Sequence, residues 1–441
     1  MTINELKNKK VGFISLGCDK NRVDLEKMIF NISNFGMKLV NEPSLADIII
    51  VNTCAFLESA RAEAIENILD MAEFKNSANL EKLIVTGCLN ELNYPDLSDS
   101  LPEVDLFVNI KDNDNIVQKI AKLYNLELDY KCINDRIITN EPHYSYLKIA
   151  EGCNNFCTYC LIPYIRGRFK SEPIEKLVNE AKNLARKGVK ELILVAQDVT
   201  KYGIDIYGKK SLVPLIRELS KIEEIKWIRL LYCYPEEIDD ELIQEIRDND
   251  KVLKYLDIPL QHVSTSILKA MNRRSNYDSI IQLFDKLYQQ IPSIAIRTTF
   301  IIGFPGETEQ DVDLIAEFLN KYKLVNVGFF AYSREEGTKA FDLNNQIDED
   351  VKLDRVDKLA QIQYQIVQDN NNSYIGTETE VIVDLVEEGY SICRNFRQAA
   401  NIDTVIYVNE QLNVGQFYNI KITNKLDYDL EGEKLWIYQI K

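Results

Sequence analysis

Three cysteines within eight residues constrain this chain more than any other feature: Cys153-Asn154-Asn155-Phe156-Cys157-Thr158-Tyr159-Cys160, spaced C-x3-C-x2-C. Clustered thiols in an intracellular chain bind metal more often than they pair as disulfides, and thiolates are the usual ligands of iron–sulfur clusters. A [4Fe–4S] cube held by only three of them leaves one iron open to a substrate, much as a catalytic zinc keeps an open position. The competing reading is a structural zinc site. It wants a fourth Cys or His at ligand spacing, and the only histidines, His143 and His262, form no such pair.

At 441 residues the chain has room for about three domains. No apolar run approaches the ~20 residues of a membrane span. Residues 1–10 are polar and lack the apolar core of a signal peptide. The expectation is a cytoplasmic protein with no membrane partner. Nine cysteines, an odd number thinly spread, argue against a disulfide framework. A net charge of −17 favours basic partners over nucleic acid, although a local basic groove would override it and acidity by itself also serves solubility.

Over about residues 8–125, short apolar runs at 11–16, 47–52 and 83–86 alternate with helical patterns at 24–34 and 57–74. That alternation predicts an α/β domain with a parallel sheet, whose ligands lie beyond the carboxyl ends of the strands. Cys18, Cys54 and Cys88 each follow one of these strands. Three scattered buried cysteines would be the bland account. Their shared position at strand ends argues instead for one site. Gly17 and Gly87 precede two of them and allow close backbone approach.

Over about 135–370, a strand at 146–152 delivers the cysteine loop. Strands then recur at 191–196, 227–231, 254–258, 294–302 and 325–331, separated by helices. Six such units predict a partial or full parallel barrel with functional groups at the carboxyl strand ends. Polar residues stand at several strands: Gln197 and Asp198, Arg229, Gln261 and His262, Arg297 and Thr298. Gly303-Phe304-Pro305-Gly306-Glu307 follows an apolar strand, where a turn can aim backbone amides at a ligand. Each single residue is equally well a satisfied polar group. Over 374–441, short β-like runs at 381–383, 391–393, 405–408, 418–422 and 435–437 predict a small OB-like barrel. It carries eleven acidic and six basic residues, a balance that suits a basic protein better than bare RNA. Cys233 and Cys393 read as structural, and Cys132 has no assigned role.

With Tyr159 just before its last cysteine, the triplet resembles the radical S-adenosylmethionine (SAM) signature. Three more cysteines upstream and a small barrel downstream resemble the radical SAM methylthiotransferases over the whole length. The resemblance implies an open (β/α)6 core and a C-terminal TRAM domain. It implies two [4Fe–4S] clusters, one on Cys153, Cys157 and Cys160 that chelates SAM, the other on Cys18, Cys54 and Cys88. SAM contacts are expected at Tyr159, Gln197, Arg297, Gly303, Gly306 and Glu307, with no catalytic residue beyond the clusters. One branch of the family modifies a transfer RNA adenosine, the other the β-carbon of an aspartate in ribosomal protein S-twelve. Ser15-Leu16-Gly17-Cys18-Asp19-Lys20-Asn21, Ala196-Gln197-Asp198-Val199-Thr200-Lys201-Tyr202-Gly203 and Pro259-Leu260-Gln261-His262 resemble the protein-modifying branch. Asp24-Leu25-Glu26 departs from the usual Asp-Ser-Glu. The implied partners are that ribosomal protein, free or on the small subunit, and an electron donor such as a flavodoxin or ferredoxin. A non-catalytic electron-transfer protein with two clusters is the rival class.

Overall fold

The computed structural model describes residues 1–92 and 97–435. The chain forms two compact units: Met1–Thr139 with Glu151–Phe156 and Cys160–Lys170, and Asn140–Ala150 with Cys157–Tyr159 and Ser171–Lys441. The sequence pattern suggests three domains at 8–125, 135–370 and 374–441. In the fold the last two form a single unit.

In the first unit the chain runs through β1 (Lys10–Ser15), α1 (Asp19–Phe35), β2 (Lys38–Leu39), β3 (Ile48–Thr53), α2 (Glu58–Ala72), β4 (Lys82–Gly87), β5 (Leu106–Val108) and α3 (Ile116–Leu123). All pairings are parallel, in the order β2-β1-β3-β4-β5. Alternate side chains of a strand face opposite sides, so a sheet covered on both faces needs continuous apolar strands. β3 meets this demand. Ile48 and Ile50 pack with Leu25, Met28 and Ile32 of α1 and with Ile116 and Ile120 of α3. Ile49 and Val51 pack with Ala64, Ile68 and Ala72 of α2 on the other face. α1 begins at Asp19, earlier than the apolar periodicity suggests, because Cys18 is its N-cap.

The second unit contains β6 (Tyr144–Lys148), α4 (Ile174–Arg186), β7 (Glu191–Val195), α5 (Leu212–Ser220), β8 (Trp227–Leu230), α6 (Asp240–Asp248), β9 (Val252–Asp257), α7 (Thr265–Ala270), α8 (Tyr277–Gln290), β10 (Ala295–Ile302), α9 (Glu309–Tyr322) and β11 (Asn326–Ala331). Its six strands lie in consecutive order, β11-β10-β9-β8-β7-β6, all parallel and with β6 and β11 at the edges. This is the expected open six-stranded (β/α) arrangement. A 26-residue helix, α10 (Glu349–Tyr374), follows. Then come β12 (Glu378–Glu387), β13 (Tyr390–Arg394), β14 (Ile406–Val408), β15 (Phe417–Leu426) and β16 (Asp429–Lys434), which close a barrel in the order β12-β13-β14-β16-β15. Four of its strands coincide with the apolar runs. The run at 435–437 does not supply the fifth: β16 ends before Leu435, which is coil, and Trp436 and Ile437 lie outside the described residues.

Buried charge joins the small barrel to the six-stranded sheet within this unit. Glu191, at the start of β7, accepts from Arg229 Nε of β8 (2.7 Å) and from Arg394 Nη2 of β13 (2.8 Å), and all three side chains are at most 1% exposed. Arg394 also pairs with Asp384, which bonds His143 Nε2 at 2.7 Å. Arg297 of β10 bridges Asp257 (3.2 Å) and Asp403 (3.3 Å), and Tyr255 donates to Asp403. Burial alone would raise the Glu191 and Asp384 carboxyls; Arg394, helped by Arg229 at Glu191 and by His143 at Asp384, holds both below the usual carboxylate range. Their stabilisation is therefore complete above the unfolded carboxyl pKa of about 4 and fades as pH falls toward the lower folded values. Breaking a buried pair from one side typically costs ~3–5 kcal/mol. Glu191→Gln is expected to lower the unfolding free energy by about that amount at pH 7, and to flatten the loss of stability below pH ~4. Equilibrium urea unfolding across pH measures both.

Candidate metal centres and cofactor site

The sheet order of the first unit places its cysteines. In a 2-1-3-4-5 doubly wound sheet the connections leave in opposite directions from β1 and β3, and a crevice opens beyond their carboxyl ends. Cys18 follows β1, Cys54 follows β3, and Cys88 follows the neighbouring β4. The strand ends are stitched together by polar side chains. Asn21 Nδ2 donates to Leu16 O (3.2 Å) and Thr53 O (2.9 Å), while Asn52 Nδ2 donates to Asn21 O (2.8 Å). Thr53 Oγ1 donates to Thr86 O (2.7 Å) and accepts from the Leu89 amide (3.2 Å). The two glycines are needed for close approach. A Cβ on Gly17 would stand 3.0 Å from Cys54 Cβ, and one on Gly87 would stand 2.4 Å from Thr53 O, both at positive φ.

Burial raises the Cys54 thiol, and the charge of Cys18 adds to that shift. Burial pushes Cys88 up to about 11 against the pull of Arg166; Cys18 and Cys54 add to the rise. Among the described residues no three His, Cys, Asp or Glu are gathered around a single-ion position. The fit to a cluster rests on the donor set, the shared edge and the glycine cradle.

A residue absent from the sequence expectations, Arg166, stands at this edge. Arg166 is buried, with Nη1 donating to Asp24 (2.9 Å) and Glu151 (3.1 Å) and Nη2 reaching Asn21 Oδ1 and Cys88 Sγ (3.5 Å). Glu26 pairs with Arg136 at 2.6 Å. Asp24 and Glu26 are therefore structural acids. Leu25 between them lies in the apolar core, which accounts for the departure at that position.

The second triplet sits on a loop with specific backbone geometry. Gly152 has φ +79°, and a Cβ there would meet Arg168 O at 2.3 Å. The Cys153 amide donates to Gly167 O (3.1 Å), the Asn155 amide to Cys153 Sγ (3.4 Å), and the Ile162 amide to Cys160 Sγ (3.4 Å). Amides aimed at sulfur stabilise thiolate, the form that ligates iron. In the second unit, Thr158 is fixed by Met271 O, Ala270 O and the Ala340 amide. Tyr159 packs on Ile267, Met271, Phe304 and Tyr332.

Arg273 lies two residues past Met271, whose carbonyl takes the amide of Thr158, between Cys157 and Tyr159. It is 6% exposed and stacked over Tyr234 at 4.1 Å. Nη2 donates to Pro259 O (2.9 Å), whereas Nε and Nη1 have no hydrogen-bond partner among the described residues. A buried guanidinium with two open donors fits an anionic ligand beside Cys157. Sequence reasoning missed it because one arginine in Met271-Asn272-Arg273-Arg274 carries no periodic signal.

The expected SAM contacts are distributed unevenly. Gln197 follows β7, at a carboxyl strand end. Arg297 sits early in β10, held by Asp257 and Asp403. The 303–307 turn closes on itself. The Gly303 amide donates to both Glu307 oxygens at 2.9 Å, and Glu307 pairs with Arg355 (3.0 Å) and faces His262 Nε2 (3.4 Å). A Cβ on Gly303 would strike Lys352 at 2.2 Å, and Gly306 also has positive φ. Glu307 takes up the amide that the sequence expectation aims at a ligand. Cys233 and Cys393 are fully buried, and burial raises both thiols, Cys393 to about 12.

Residues 10–109 match the "Uncharacterized protein family UPF0004", residues 147–319 the "Radical SAM superfamily" and residues 375–435 the "TRAM domain". Curated relatives named "Ribosomal protein uS12 methylthiotransferase RimO" are similar over almost the whole chain. Those of Clostridium kluyveri and Clostridium botulinum are 46% and 47% identical over 96% of this chain and 97% of their own. The Clostridium perfringens relative is 47% identical with the same coverage. Among solved structures, the radical SAM methyltransferase TsrM of Kitasatospora setae, with cobalamin and a [4Fe–4S] cluster bound, has a TM-score of 0.55 at 11% identity, covering 74% of this chain and 72% of its own. The cobalamin-dependent radical enzyme OxsB has a TM-score of 0.53 at 11% identity, covering 82% and 58%. These two share the fold. With a UPF0004 region ahead of the radical SAM core, a TRAM barrel behind it and near-half identity over the full length, the chain belongs to the RimO family of radical SAM methylthiotransferases.

Proposed function

We propose that the chain transfers a methylthio group to the β-carbon of an aspartate in ribosomal protein S-twelve. Cys18, Cys54 and Cys88 would hold one [4Fe–4S] cluster, and Cys153, Cys157 and Cys160 the SAM-binding one. What supports this reading is that each of the first three thiols follows a strand at the carboxyl edge of one sheet, in a chain that also bears the C-x3-C-x2-C triplet. The bound groups supply one-electron cleavage of SAM, hydrogen removal from the aspartate carbon, sulfur insertion and methyl transfer.

The chain's own residues bind and orient. Arg273 receives the SAM carboxylate with its two open donors. Tyr159 holds its own loop against the apolar group around Met271. Gln197 at its strand end and the rigid 303–307 turn shape the rest of the pocket, with Gly303, Gly306 and Glu307 acting as its frame. Arg297 is committed to Asp257 and Asp403, and its part is to fix the sheet beneath the pocket. The net charge of −17 favours encounter with a basic ribosomal protein. A one-electron donor of the flavodoxin or ferredoxin class completes the set.

Cys157→Ala is expected to abolish 5′-deoxyadenosine formation from SAM and dithionite while retaining about four irons per chain; formation at the parent rate removes the assignment. Offered both ribosomal protein S-twelve and transfer RNA anaerobically, the reconstituted parent enzyme is expected to add the methylthio mass to the protein alone. A gain on the RNA alone assigns the chain to the other chemistry. Arg273→Met is expected to weaken SAM binding roughly tenfold to a hundredfold, the worth of a charge-assisted pair. Binding of decarboxylated SAM changes little, and equilibrium dialysis compares the two.

A further inference from the structure

The Arg166 side chain touches three segments bearing expected iron ligands. It lies just past a single helical turn, Ile162–Ile165, whose flanking Leu161 and Ile165 are buried in the same apolar group as Cys88 and Leu89. Its backbone position is therefore fixed by packing, independently of its charge. From there the guanidinium reaches Cys88 Sγ (3.5 Å), Asn21 and Asp24 on the helix that starts at Cys18, and Glu151, two residues before Cys153. Its side chain is 2% exposed, so water does not screen these contacts. Two carboxylates already outweigh the one positive charge. A thiolate-ligated cluster would add further negative charge to the same pocket.

We propose that Arg166 is the positioning residue of the amino-terminal cluster: it donates to the Cys88 ligand sulfur, raises the potential of that cluster, and ties its site to the loop carrying Cys153. The proposal rests on Cys18, Cys54 and Cys88 being ligands. Hydrogen bonds and cations at ligand sulfurs draw electron density from a cluster and favour its reduced form. Asp24 opposes this by drawing the guanidinium toward itself and adding a negative charge. Removing Arg166 and removing the Asp24 charge should therefore act with opposite sign, which a merely structural ion pair would not produce.

The test is potentiometric titration of the full-length chain carrying Cys157→Ala, so that only the amino-terminal cluster reports. Arg166→Gln is expected to keep about four irons while the ratio of reduced to oxidised cluster at the parent midpoint falls about tenfold, a shift of ~59 mV to more negative potential. Arg166→Lys keeps the charge without the planar fork and is expected to restore most of that shift. Asp24→Asn is expected to move the midpoint positive. An unchanged midpoint in Arg166→Gln overturns the proposal. Should Arg166→Gln lose its iron or fail to fold, Asp24→Asn decides, and a midpoint equal to the parent's overturns it. If the Cys157→Ala parent itself holds no cluster, the ligand assignment falls instead.

Discussion

A charge taken out of water must find a partner inside, and most of this fold is arranged around that demand. Arg136 is paired with Glu26, Arg166 with Asp24 and Glu151, Arg229 and Arg394 with Glu191, and Arg355 with Glu307. Each pair joins elements far apart in sequence, so each fixes a tertiary relationship that apolar packing alone would leave adjustable. Glu191 serves two arginines from different sub-structures, and no rearrangement of the small barrel can satisfy all three groups again. Arg273 departs from the pattern. It is as buried as the others, yet makes no ion pair with a carboxylate among the described residues. In a fold whose other buried guanidiniums are paired with acids, Arg273 is the exception among the described residues, and its two open donors are what the proposed role as an anion contact rests on.

The same reasoning separates scaffold from site along the barrel. Arg297 and Glu307 both look like ligand contacts when read as polar residues on an apolar strand or just past it. In the fold they are spoken for, Arg297 by two aspartates and Glu307 by an amide, an arginine and the edge of His262. His262 Nδ1 accepts the Val263 and Ser264 amides at 2.9 Å each, which leaves the proton on Nε2, facing Glu307. A turn held by that many bonds is rigid, and rigidity is what a loop beside a cofactor contributes.

Much of the layout was legible in the sequence because its signals are local. Continuous apolar runs such as Ile48-Ile49-Ile50-Val51, followed by cysteines, read as two-sided strands with the thiols at their carboxyl ends. What escaped depends on contacts between distant residues. α10 has a polar face that is itself buried, with Arg355 on Glu307 and Glu309, Gln363 on Leu324 O and Asn371 on Tyr428 O, so apolar periodicity could not announce it. Arg166 sits in an unremarkable stretch, and its meaning comes from Asp24 and Cys88 across the fold. β16 begins at Asp429 and carries Glu431, Glu433 and Lys434; only Leu430 is apolar, and the more hydrophobic run beyond drew attention away from it.

The small barrel shows how burial changes a charge argument. Counted along the sequence, its acids outnumber its bases. The fold withdraws Arg394 together with Asp384 and Asp403 from the surface, and Arg397 lies over the Tyr374 ring at 4.3 Å. Lys434 is engaged by Glu410. The exposed remainder stays acidic. The ion pairs through Glu191 and Asp403 hold that remainder in a fixed orientation to the six-stranded sheet. An acidic surface of this kind favours encounter with a basic protein over a bare phosphate backbone.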